Sequence, residues 1–410
     1  MRVLIISTYD QQGGAAIAAY RLLEALNKNG ATANMLTINK KSDNPNVIEV
    51  GNHLINKGRF IAERGLIYIQ NGFSKNNLFD ISIANTGVSI TNHPEFKKAD
   101  VIHLHWINQG MLSIREIAKI VASGKKIIWT MHDMWPFTGI CHHAGECNHF
   151  EKYCGFCPYL HLPMRKDLSY STFLLKQAAY SLGNIHFVAC SNWLKDLAMK
   201  SELTTHQSVS TISNPINTEI YKPKDKSELR KTMNLPADKK IILFAAAKVS
   251  DKRKGIDYLI EASKIMSQQE HNFLFLIAGS NGEEIISQLA LPTVNLGYVS
   301  SDDMPDIYNV ADVFVTPSLQ ENLPNTIMES MACGTPCVGF KIGGIPEMID
   351  HKQNGYVAQY KNAQDLADGL MWVLQKSSTK ALSDNARNKV VKSYSDSIIA
   401  KRYLEIYNKE

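Results

Sequence analysis

The segment Ile241–Ala262, IILFAAAKVSDKRKGIDYLIEA, reads as a complete strand–turn–helix unit. An unbroken apolar run opens it, the charged residues Asp251, Lys252, Arg253 and Lys254 make the turn, and an amphipathic pattern follows. A strand that is apolar on both faces belongs inside a parallel sheet covered by helices on each side. The same alternation continues through FLFLIAG (273–279), VNLGYV (294–299), ADVFVTPS (311–318) and PCVGFKIGG (336–344). It also occurs earlier, in RVLIIS (2–7), DVIHLHW (100–106), KIIWTMHD (126–133) and IHFVACS (185–191). Helical patterns such as AAIAAYRLLEALNKNG (15–30) and SIREIAKIVASG (113–124) separate these runs. The fold expected is α/β, with two doubly wound Rossmann-like domains facing each other across a cleft, and ligands at the carboxyl ends of the strands. The Pro-, Asn- and charge-rich stretch ISNPINTEIYKPKDKSELRKTMNLPADKK (212–240) suits a linker. The domains are then 1–215 and 216–393, with an amphipathic helix over 394–410 packing back on the first.

A chain of 410 residues exceeds one ordinary core. Its net charge of +5 suits an anionic small ligand or acidic lipid and does not demand nucleic acid. MRVLIISTYD reads as a first strand rather than a signal peptide, and no apolar stretch is long enough to span a membrane. The cytoplasm is the compartment expected. Scattered basic residues beside apolar ones, as in NKGRF and REIAKIVASGKK, leave room for a peripheral contact with the inner face of a membrane.

Three motifs carry chemistry. In STYDQQGGAAIAAYRL (7–22), Gly13 and Gly14 lie between strand and helix, where glycine lets backbone amides approach a ligand; a plain turn is the other reading. In VSDKRKG, Arg253 and Lys254 sit at a strand's carboxyl end and suit a diphosphate, although most charge runs are solvated loops. In ENLPNTIMESMACGTP (321–336), Pro324 and Gly334 bracket a helix expected over Leu323–Cys333. Glu321 precedes that helix, and Glu329 lies within it on the face of Asn325 and Thr326. The helix start suits an anion, with a carboxylate on either side for hydroxyls. The bland readings are a dipole-stabilising carboxylate and a solvent-exposed glutamate.

Glu321, seven residues and Glu329, then SMACGTPCV and GGIPEMIDHKQNGYV, closely resemble the signature of family 4 retaining glycosyltransferases of the GT-B fold. The resemblance runs through the glycine loop, NPINTEIYKP, LIAGSNG and LGYV to the C-terminal helix. It implies a nucleotide-diphosphate sugar donor carrying UDP or GDP and a glycan or lipid-linked acceptor. By the same resemblance, Glu321 contacts the donor sugar near its reacting carbon, Glu329 holds the ribose, and Arg253 and Lys254 neutralise the diphosphate. Amides of Asn322, Leu323, Pro324's neighbours Asn325 and Thr326, and Gly14 beside Gly13, complete the phosphate cradle. The main chain of Gly297, Tyr298 and Val299 contacts the base, and His132 reaches the donor sugar. No cofactor is implied for catalysis. Many relatives carry a Gly-Arg pair where this chain has Ala246, Ala247 and Lys248, so Lys248 enters as a substitute cation.

CHHAGECNHFEKYCGFCP holds Cys141, Cys147, Cys154 and Cys157 at C-x5-C-x6-C-x2-C spacing. That spacing can wrap a structural, tetrahedral zinc with no open position; disulfides and free thiols are the other states. A similar insert occurs in family members of bacterial surface-polysaccharide type, which points to capsule, O-antigen or exopolysaccharide assembly. The rival readings are a GT-B nucleotide-sugar epimerase and a zinc-knuckle protein that binds nucleic acid. The basic residues form no stripe with interleaved aromatics, which argues against the second.

Overall fold

The computed structural model describes residues 1–269, 272–375 and 379–409. These form two compact units, Met1–Pro215 with Ile399–Glu410, and Ile216–Ile398. Each is built on a sheet whose strands all run parallel.

In the first unit the strands are β1 (Arg2–Ile6), β2 (Thr32–Thr37), β3 (Val47–Glu49), β4 (Val101–Leu104), β5 (Lys126–Met131), β6 (Ile185–Ala189) and β7 (Ser208–Thr211). Among the described residues they form a seven-stranded sheet in the order β3-β2-β1-β4-β5-β6-β7. In the register of the central strands, Ile5 lies beside Met35 on one side and His103 on the other. Successive side chains alternate between two cores. Leu4, Ile6, Ile102, Leu104 and Trp129 enter one. Val3, Ile5, Val101 and Ile128 enter the other, against Leu22, Leu23 and Leu26 of helix Gly14–Lys28 and Tyr403 and Tyr407 of helix Asp396–Asn408.

The second unit holds β8 (Lys240–Lys248), β9 (Phe273–Ser280), β10 (Thr293–Gly297), β11 (Val313–Thr316), β12 (Cys337–Phe340) and β13 (Gly355–Ala358), ordered β10-β9-β8-β11-β12-β13 among the described residues. Its core gathers Ile242, Phe244, Phe275, Ile277, Val313 and Val338 beneath Leu259 of helix Ile256–Ser267 and Leu366 and Leu370 of helix Ala363–Gln375.

The stretch 212–240 is mostly not a linker. The boundary falls at its start, and the rest is packed into the second unit. Helix Lys226–Thr232, capped by Asp225, turns Arg230 inward. There the guanidinium donates to Val310 O (2.9 Å) and to Asp312 (2.7 Å), while Lys226 donates to the other Asp312 oxygen (2.9 Å). Burial resists the Asp312 charge, but Lys226 and Arg230 outweigh it and hold its pKa below the ordinary value. No helix among the described residues is long and apolar enough to cross a membrane.

Candidate functional site

Parallel strands place all their carboxyl ends on one edge, and in the second unit that edge collects most of the residues singled out above. Lys248 ends β8, Gly297 ends β10, and 317–324 follow β11. The helix after β11 spans Asn325–Ala332, shorter than the expected Leu323–Cys333. Leu323 precedes a proline and is held out of the helical region. Pro324 itself is extended (φ −68°, ψ 121°) and offers no side-chain cap to the helix start.

Three loops on this edge are locked together by their backbones. Leu319 N donates to Arg253 O (2.8 Å), and Gly344 N donates to Asn322 O (2.7 Å). Gly255 (φ +73°) and Gly343 (φ +56°) have left-handed conformations, and a Cβ on either would overlap the carbonyl oxygen of Pro317 or Glu321 respectively. Within this frame the Lys254 ammonium pairs with the Glu321 carboxylate. Ser318 Oγ donates to the same Glu321 oxygen (3.3 Å) and is 3.1 Å from Thr316 Oγ1. The pair is partly exposed, so its contribution to stability is at most about 1 kcal/mol. Its geometry puts a cation and a carboxylate side by side next to a helix start.

Arg253 is turned to Asp251, whose carboxylate accepts from the Arg253 Nη2 at 2.8 Å and from its backbone N at 3.0 Å. The cation run is therefore not a uniformly solvated loop. Glu329 is not exposed either. It is buried, and the Tyr308 hydroxyl donates to it at 2.8 Å from helix Met304–Val310. Burial, then the Glu329 charge, push the Tyr308 pKa well above its ordinary value. Tyr298 is 81% exposed, next to Gly297 (φ +64°) with open space around it, while Val299 is half-buried.

The first unit has its own cluster at the carboxyl edge of adjacent strands β1, β4 and β5. Gly13 (φ +88°, ψ 160°) leads into helix Gly14–Lys28, again without a side-chain cap. His132 follows β5. Its Nε2 lies 2.9 Å from His105 Nδ1, and its Nδ1 is 3.6 Å from the Cys190 sulfur. Burial lowers the His132 pKa to about 4, with the neighbouring Asp133 charge pulling the other way. For Asp133 burial raises the pKa, but the His142 contact at 2.7 Å outweighs it and carries it down to about 2. A neutral imidazole thus stands beside an ionised carboxylate. His103 lies beneath, between Tyr407 Oη (2.6 Å) and Thr130 Oγ1 (2.8 Å), and burial brings its pKa down to about 3.

Cys141, Cys147, Cys154 and Cys157 line one cavity together with His149, and all four are free thiols. Gly139 N donates to the Cys154 sulfur at 3.2 Å. Burial pushes the thiols of Cys141, Cys154 and Cys157 up to about 12. The donor set suits a soft cation in type. Its placement does not close around one: among the described residues, no group of three or more His, Cys, Asp or Glu is arranged to hold a metal ion.

Sequence reasoning placed Asp251 in the basic turn without a role, and passed over Ser318, Tyr308, Gly343, His105 and the Asp133–His142 pair. Gly343 could have been found as half of a Gly-Gly pair. Tyr308 carries no local signal, because its partner lies 21 residues away.

Each unit thus carries, at the carboxyl edge of its parallel sheet, an uncapped helix start after a glycine or proline together with ionisable residues at the strand ends, and that edge is where parallel α/β sheets take their ligands. The profile described as Glycosyltransferase Family 4 matches residues 12–220, and that described as Glycosyl transferases group 1 matches 225–389. The first match takes just over half of the 410 residues, and the chain belongs to that family. It is similar to the N,N'-diacetylbacillosaminyl-diphospho-undecaprenol alpha-1,3-N-acetylgalactosaminyltransferase of Campylobacter jejuni, 30% identical over 195 residues, 46% of this chain and 50% of that protein. The chain spans about half the length of the curated relatives it matches. Sucrose-phosphate synthase from Thermosynechococcus elongatus superposes with a TM-score of 0.68 at 17% identity, over 99% of this chain and 98% of that one. Anabaena HepE in complex with UDP-glucose superposes with a TM-score of 0.64 at 15% identity, over 99% of both chains. At such identities the likeness is one of fold, and that fold is GT-B.

Proposed function

We propose that the chain is a retaining glycosyltransferase that moves a sugar from a nucleoside-diphosphate sugar, carrying UDP or GDP, to a glycan or lipid-linked acceptor. The observation that carries this reading is the Lys254–Glu321 pair, held beside the start of helix Asn325–Ala332 by loops that glycines lock in place. In this reading Lys254 and Arg253 take the diphosphate, with Lys248 as a further cation and the Asn322–Thr326 amides around it. Glu321 takes the sugar hydroxyls, Glu329 the ribose, and the Gly297–Val299 backbone the base. In the first unit Gly13 and Gly14 supply amides, and neutral His132 accepts or donates one hydrogen bond to the sugar.

The anomeric carbon breaks its bond to the diphosphate oxygen and bonds the acceptor oxygen on the same face. The acceptor's proton passes to the departing diphosphate oxygen. Arg253 and Lys254 stabilise the charge that develops there, so the chemistry calls for no divalent ion. The diphospho-undecaprenol-linked substrate named for the Campylobacter relative supports a lipid-linked acceptor. The four cysteines suit a structural zinc in ligand type; holding one would draw their sulfurs inward from the positions they take here, and the ion would have no part in the reaction.

Thermal-shift measurements with UDP-, GDP- and ADP-sugars test the donor. A ligand at about 100 times its Kd stabilises the folded chain by about 2.7 kcal/mol, and one donor is expected to stand out. Glu321→Ala should then abolish transfer at an unchanged melting temperature. Near-normal turnover in that variant would overturn the site.

A further inference from the structure

Helix His53–Gln70 in the first unit is inside out. Its buried residues are Asn56, Glu63, Arg64 and Ile67, three of them polar. Glu63 is fully buried, pairs with Arg64 (3.1 Å) and accepts from the backbone N of Ile83 and Ala84 at 2.8 Å each. Arg64 in turn donates to Ile81 O at 2.8 Å. The polar face is therefore the one that anchors the helix to the protein. On the opposite side, Leu54, Ile61 and Ile69 recur at helical spacing and are 76%, 57% and 57% exposed. A helix of a globular protein ordinarily presents the reverse arrangement.

The apolar surface extends beyond the helix. Phe73 and Phe79 in the following loop are 66% and 67% exposed. Their rings lie 5.6 Å from Tyr68 and 6.4 Å from Phe60, so both are held against the helix. Leu162, also exposed, sits over Gly72, and His161 N donates to Asn71 Oδ1 at 2.6 Å, which fixes that loop alongside. Large apolar side chains exposed together on one helix and on the loop held against it mark an interaction surface rather than scattered apolar residues.

Its charge selects the partner. Between Glu49 and Asp80 the sole acidic residue is Glu63, which is buried, whereas Lys57 and Lys75 are exposed. A second copy of this chain meeting the patch about a two-fold axis would set cation against cation without a carboxylate to answer it. An apolar stripe edged by lysines fits the headgroup and acyl boundary of an anionic lipid layer. We propose that helix His53–Gln70, with Phe73, Phe79 and Leu162, docks the first unit onto an anionic lipid surface, lying in its plane without crossing it.

Flotation of the full chain with phosphatidylcholine vesicles, with and without phosphatidylglycerol, tests this. Wild type should float with the anionic vesicles and largely remain behind with the neutral ones. The Ile61→Ser/Ile69→Ser variant should lose about tenfold or more of that binding at an unchanged melting temperature, because both side chains are exposed. Lys57→Glu/Lys75→Glu should lose about fivefold per lysine, and added salt should weaken wild type in the same way. Flotation equal to wild type in both variants overturns the proposal. So does a concentration-dependent dimer that Ile61→Ser/Ile69→Ser dissolves, since the patch would then belong to a second copy. Phe73→Ser, outside the helix, gives the same reading should the double variant fold poorly.

Discussion

Lowering the pH from 8 to 5 should destabilise the first unit through its buried histidines, and His103→Gln should remove a defined part of that loss. His103 and His132 have folded pKa values of about 3 and about 4, against an ordinary 6.5. Both shifts are downward, so the unfolded chain takes up the proton first. Stability is intact above 6.5 and falls as the pH drops from there toward the folded values. At pH 5 each group has crossed 1.5 units in which only the unfolded chain is protonated, which costs about 2 kcal/mol. Two such groups cost about 4 kcal/mol, a large share of the roughly 5–15 kcal/mol that holds a domain together. At about 2–4 °C per kcal/mol, the melting temperature should fall by about 10 °C. Glutamine can keep a hydrogen bond to Tyr407 or Thr130 but cannot take the proton. His103→Gln should therefore flatten the slope near pH 5.5 by about 1.4 kcal/mol per pH unit, whatever it does to stability at pH 8. Denaturant titrations at a series of pH values, followed by fluorescence of the buried Trp129 and Trp135, measure that slope. An unchanged slope would refute the assignment of His103 as a buried neutral group.

Further outcomes bear on the site. Lys254→Ala should lower donor turnover by about 10²- to 10³-fold, the usual cost of losing one group that stabilises developing charge. Its melting temperature should move by no more than about 4 °C, because the pair with Glu321 is partly exposed; parallel losses in both would mean that Lys254 is structural. Gly343→Ala should displace the Glu321 carbonyl and cost about 10²-fold in turnover. Gly30→Ala, at φ +91° with open space around it, should cost only about 1–2 kcal/mol of stability and leave turnover alone. For the cysteines, protein purified without chelator should carry about one zinc per chain with its thiols shielded. Far less zinc, with all four thiols reactive, would dismiss the metal.

The architecture was legible where strands are buried on both faces, because β1, β5, β8 and β9 are nearly continuous apolar runs. β3, with two of its three residues at least partly exposed, and β7, whose sequence is SVST, carry no such run. Helix Lys226–Thr232 was hidden for a related reason: its inward anchor is an arginine, which pattern reading assigns to solvent. At the site, residue types and spacing marked Glu321, Lys254 and Glu329. They could not show that Lys254 and Glu321 meet across 67 positions, or that Glu329 is buried against Tyr308. Those pairings depend on which loops the glycines bring together, a property of the folded backbone and not of any local window.

The C-terminal helix has a consequence for how the chain is made. His103 bonds to Tyr407 across 304 positions, and Ile399, Tyr403 and Ile406 enter the same core as Val3 and Ile5. At about 5–20 residues per second, a ribosome needs roughly 15–60 s after releasing His103 before its partner emerges. The first unit therefore waits, with one apolar face of its sheet incomplete, while the whole second unit is synthesised. Truncation before Ile399 should leave that face open for good, and a nascent chain stalled there is the state most exposed to aggregation and to chaperone capture.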